Sequence, residues 1–93
     1  NYKSAIIALD NVLIDFPSFN NREEVHYLIV KSTYLLAINS ISVKIEERLI
    51  ATLEAYNHFQ DNYPESDYLK DLESTYNKTN STLNELKLNK NEI

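Results

Sequence analysis

The chain has 93 residues, a net charge of −5 and no Gly, Cys, Met or Trp. Without glycine there is no Gly-rich phosphate loop and little provision for the primed turns of β-hairpins; without cysteine there are no disulfides or thiolate metal sites. The nine Lys and Arg are scattered through an acidic chain, which argues against the basic stripe of a nucleic-acid reader, and no apolar run approaches the roughly 20 residues of a membrane span.

Periodicity reads as four helices. The first is expected over about 2–15, with Ala5, Leu9, Val12, Leu13 and Phe16 on one side. Pro17 ends it, because the residue before proline is pushed out of helical geometry. Asn20 and Asn21 then offer N-caps, with Glu23 and Glu24 at capping-box spacing.

The second helix is expected over about 22–39. Val25, Leu28, Ile29, Ser32, Leu35 and Leu36 form one stripe, and Tyr27, Val30, Tyr34, Ile38 and Ile41 form another. A helix apolar nearly all round is covered on most sides. A join with Ser40 and Ser42 as possible caps leads to the third helix, about 43–62. Its inner face carries Ile45, Leu49, Thr52, Leu53, Tyr56 and Phe59, and Glu46, Glu47 and Glu54 lie outside. Pro64 closes it as Pro17 closes the first.

The fourth helix is expected over about 66–87. Leu69, Leu72, Tyr76, Thr79, Leu83 and Leu86 make a heptad seam on an otherwise polar helix. Such a narrow stripe suits either the capping end of a solenoid or a docking surface for a partner helix. The tail after Leu88 is expected to fray.

A repeat runs through this series. Ala8-Leu9-x-x-Val12-x-x-x-Phe16-Pro17 returns 47 residues later as Ala55-Tyr56-x-x-Phe59-x-x-x-Tyr63-Pro64. Fixed-period self-similarity signals a solenoid. The expected fold is therefore all-α, an antiparallel helix-turn-helix (tetratricopeptide-like) solenoid. Residues 1–93 would form a single helical-repeat domain, a piece of a longer protein whose pattern is already running at Tyr2. The ten repeat residues are the expected signature positions.

These phrases carry a family resemblance. Phe16-Pro17-Ser18 and Tyr63-Pro64-Glu65-Ser66 resemble the helix-B ends of tetratricopeptide repeats, and Asn21 to Leu28 resembles the start of a following helix A. With Ala37-Ile38-Asn39-Ser40, Glu46-Glu47-Arg48-Leu49 and Asn62 to Lys70, residues 2–80 resemble the C-terminal repeats of the BamD (YfiO) family in Bacteroidetes-type bacteria. Leu9 departs from the pattern by standing where an aromatic is common. The resemblance implies a non-catalytic, periplasmic scaffold at the inner face of the outer membrane, held by a lipid anchor on a cysteine outside this segment. Its expected partners are other proteins of the outer-membrane β-barrel assembly machine, chiefly the periplasmic domains of the central barrel protein. The alternative is a generic peptide-binding tetratricopeptide-like adaptor, a cell-envelope coordinator or cytosolic co-chaperone.

No catalytic, metal or cofactor site is expected. His26 and His58 lie 32 residues apart without the i, i+4 spacing of a metal helix and read as surface or half-buried residues. Glu54 and His58 could share a face, but no nucleophile accompanies them. Glu23-Glu24 and Glu46-Glu47 read as complements to helix dipoles. Tyr27, Tyr34, Tyr56, Tyr63, Tyr68 and Tyr76 read as core residues with wet hydroxyls or as the lining of a peptide groove. The glycosylation-like patterns at Asn77 and Asn80 read as chance.

Overall fold

The computed structural model describes residues 1–91. It contains four α-helices: α1 (Tyr2–Asp15), α2 (Arg22–Ile38), α3 (Ser42–Asn62) and α4 (Leu69–Asn91). There is no strand among the described residues, and the fold is all-α. Consecutive helices pack in order, and α2 also touches α4, whereas α1 and α3 do not meet. Skipping contacts on one side only gives the helix array a closed side and a splayed side, the curvature of a helical-repeat solenoid.

The repeated phrase is a repeated backbone structure. The Phe16 N–H donates to the Val12 carbonyl at 3.0 Å, and the Phe19 N–H donates to the Phe16 carbonyl at 3.0 Å. At the second copy Tyr63 N–H donates to Phe59 at 2.8 Å and Ser66 N–H donates to Tyr63 at 3.1 Å. Backbone angles at the two aromatics nearly coincide, −128° and 71° at Phe16 against −134° and 64° at Tyr63. The following proline excludes helical ψ there. This device ends both helices without the left-handed residue that glycine usually supplies, and the described chain has no positive-φ residue at all.

Two apolar clusters hold the helices together. Val30, Tyr56, Phe59 and Leu72 form one, ringed by Tyr27, Tyr63, Tyr68 and Tyr76. Ala37, Leu49 and Leu83 form the other, with Ile45, Leu53 and Leu86 against it. The α4 seam thus packs inward, with Leu72, Thr79 and Leu83 buried, and it is not an open docking stripe. Thr52 and Thr79 are fully buried, each donating its hydroxyl to the carbonyl four residues earlier, at 3.0 and 2.8 Å. A buried hydroxyl without a partner is costly, and among the described residues none is orphaned.

Several local expectations differ from the structure. α4 begins at Leu69 rather than near Ser66, because Pro64–Tyr68 is spent on two tight turns: Ser66 N–H bonds to Tyr63 and Leu69 N–H to Ser66. The Ser66 hydroxyl accepts from the Tyr68 N–H at 3.1 Å and donates to Glu23 at 2.8 Å, which ties the turn to α2. Asn21 is the N-cap of α2 but makes no side-chain capping bond. Its neighbour Arg22 instead reaches back to the Leu13 and Phe16 carbonyls, at 3.0 and 3.4 Å, and closes the end of α1. Nor does Ser40 or Ser42 cap α3, whose N-cap is Ile41; Ser40 accepts from Arg48 at 2.8 Å. Beyond Leu88 the helix runs on to Asn91, and the last two residues of the expected tail lie outside the described residues.

Candidate partner-binding surfaces

The two copies of the signature sit in different surroundings. In the second, Tyr56 and Phe59 are buried, Ala55 and Tyr63 are half-buried, and Pro64 is exposed at the turn. In the first, Leu9 and Val12 are half-buried while Ala8, Phe16 and Pro17 are exposed. The reason is topological: α3 packs between α2 and α4, whereas α1 has only α2. α1 consequently buries no residue, and Ile7, Ile14 and Phe16 are 53%, 74% and 62% exposed. Val12, Phe16, Pro17 and Phe19 line a mainly apolar hollow at its end.

On the closed side, α2 is stapled to α4 by polar groups. Tyr27 donates its hydroxyl to the Asp71 carboxylate and stacks on Tyr68, with ring centroids 4.2 Å apart. Lys31 lies 3.3 Å from Asp71 and 3.4 Å from the Thr75 hydroxyl. The hydrogen bond to Asp71 pushes the Tyr27 phenol up to about 12. The same bond, helped by Lys31, holds the Asp71 carboxyl below its usual range against the opposing effect of desolvation. One helical turn further on, Tyr34 and the outer face of α4 border a shallow polar groove lined by Lys70, Glu73, Ser74, Asn77, Lys78 and Ser81. Its hydroxyls, amides and charged groups of both signs could meet an extended peptide backbone. Tyr34 is thus a groove residue, Tyr56 a core residue, and Tyr27 a packed ring with a bound hydroxyl.

The structure also joins the two histidines, which sequence spacing kept apart. Their ring centroids are 5.7 Å apart, and His26 lies 5.5 Å from the Tyr63 ring. Packing α2 against α3 does this, and no spacing rule within one helix could have shown it. Burial chiefly, with His58 and Arg22 nearby, lowers the His26 pKa against the opposing pull of Asp10. Glu54, the expected companion of His58, is exposed. Instead, Asn62 lies beside His58, 3.4 Å from each ring nitrogen. Among the described residues no helix is long and apolar enough to cross a membrane.

A helical repeat with matching aromatic-proline closures and an open polar groove describes an architecture shared by many proteins. The family model YfiO, described as outer membrane lipoprotein, matches residues 1–91. The chain belongs to this family. Its place is therefore the outer membrane lipoproteins of the BamD type, and the tetratricopeptide-like architecture fits that membership. No curated protein matches the chain.

Proposed function

We propose that the chain is part of a non-catalytic scaffold in the outer-membrane β-barrel assembly machine, working on the periplasmic face of the membrane. A lipid anchor outside this segment would hold it there, and it would bind the periplasmic domains of the central barrel protein. The observation that carries this reading is the family match along nearly the whole chain. The surfaces are consistent with it: an apolar flank on α1 and a polar groove between α2 and α4. Binding the purified chain to the isolated periplasmic domains of the source organism's central barrel protein tests the proposal. Saturable binding supports it; no binding, with both components folded, counts against it.

The groove beside Tyr34 favours a second reading, a peptide-binding adaptor. In that case Tyr34→Ala and Lys78→Ala would weaken capture of extended peptides and leave folding intact, because both side chains lie at the rim rather than in the core. Unchanged peptide capture in both variants would remove that reading.

A further inference from the structure

We propose that His26 and His58 form a two-imidazole site for a divalent cation of the zinc class, clipping α2 to α3. The distance between the two rings suits a shared ion. With metal–nitrogen bonds of about 2.0–2.1 Å, an imidazole centroid lies about 3.2 Å from its ion, so two rings on one ion stand about 5.2 Å apart at a tetrahedral angle and about 6.4 Å apart in line. The observed 5.7 Å falls between these limits. The rings are tilted by 39° rather than stacked face to face.

The surrounding charges act in both directions. Arg22 stands near His26, and its positive charge opposes a bound cation. Asp10 approaches from α1 and is the one carboxylate among the charges acting on His26; it would offset part of a bound cation's charge. The half-buried Tyr63 ring closes one flank, while the exposed His58 leaves the other accessible. Asn62 is tied to the His58 carbonyl at 2.8 Å and stays 3.4 Å from the ring nitrogens, too far to hold either of them strongly.

Among the described residues no group of three or more His, Cys, Asp or Glu could hold a metal ion. The site therefore rests on two protein ligands, with water completing the sphere. Imidazole donors select Zn2+, Cu2+ or Ni2+ over Ca2+ and Mg2+, which prefer oxygen. Because the ligands come from different helices, occupancy would strengthen the α2–α3 pairing that supports both core clusters.

Titrating the full chain with ZnCl2 at pH 7.5, followed by imidazole proton resonances and thermal melts, tests the site. The expected result is that both imidazoles shift along one saturation curve with a one-to-one endpoint, and that Tm rises. His58→Gln should abolish the remaining imidazole's shift and the Tm rise, while its metal-free Tm stays close to that of the parent because His58 is exposed. Shifts confined to one histidine, resonance shifts without a Tm rise, a Tm rise that survives His58→Gln, or no response at millimolar Zn2+ would each overturn the site.

Discussion

Single side chains in this fold differ sharply in weight even where the sequence repeats itself. Phe59 is 1% exposed, whereas Phe16, an aromatic of the other copy, is 62% exposed. Phe59→Ala should cost about 3–5 kcal/mol, and Phe16→Ala less than about 1 kcal/mol; urea unfolding of the two variants checks both. The Tyr27–Asp71 pair makes a pH prediction. Asp71 is depressed in the fold, so its contribution is present above its ordinary pKa and is lost as pH falls through the depressed value. The Tyr27 phenol is raised from 10.0 to about 12, so its contribution holds below pH 10 and fades between about pH 10 and 12. In Tyr27→Phe the alkaline loss should shrink to that of Tyr56, whose phenol burial also raises, and the Asp71 pKa should move toward normal, as carboxyl carbon NMR would show; an unmoved Asp71 would refute the pairing. His26 adds a third window. Its lowered pKa means stability present above 6.5 is lost as pH falls below it. Phe59 could be assigned to the core from helical spacing, whereas spacing left Tyr56 between core and groove and its burial decides for the core. Tyr27–Asp71 and His26–His58 could not be read from spacing, since each pair spans different helices and only packing brings it together.

At the scale of elements, the two aromatic-proline closures were legible because proline acts on its immediate neighbour. The start of α4 was not: Ser66 has the look of a cap, yet its hydroxyl bonds to Glu23 on α2. Asn21 misled in a similar way. Arg22, nine residues beyond Leu13, closes α1 by a contact that no local pattern encodes. The most consequential difference between elements is support. α1 has a single neighbour and no buried residue, while α3 has neighbours on both sides and four buried residues. Opening free energy follows such burial, so amide exchange in α1 should run ahead of exchange in the centre of α3. Equal protection in the two helices would mean that α1 finds another partner in solution. The exposed Ile7 and Ile14 are the residues such a partner would cover.

For the molecule as a whole, the 47-residue repeat conveyed the architecture, and the aromatic-proline wording around it conveyed the family. Function is less local. The polar groove needs Tyr34 and the outer face of α4 side by side, and the apolar flank exists because α1 packs on one side only. Neither surface follows from spacing within one helix, since each depends on how helices are arranged. The central claim is that these surfaces serve a scaffold in outer-membrane β-barrel assembly. Its most direct test is affinity isolation, from detergent-solubilised membranes of the source organism, of the protein that carries this chain, with quantitative mass spectrometry of what accompanies it. The account predicts that the protein fractionates with the outer membrane and brings the central barrel-assembly protein with it in near-stoichiometric amount. Recovery with the outer membrane but without that protein, even after mild cross-linking, would contradict it.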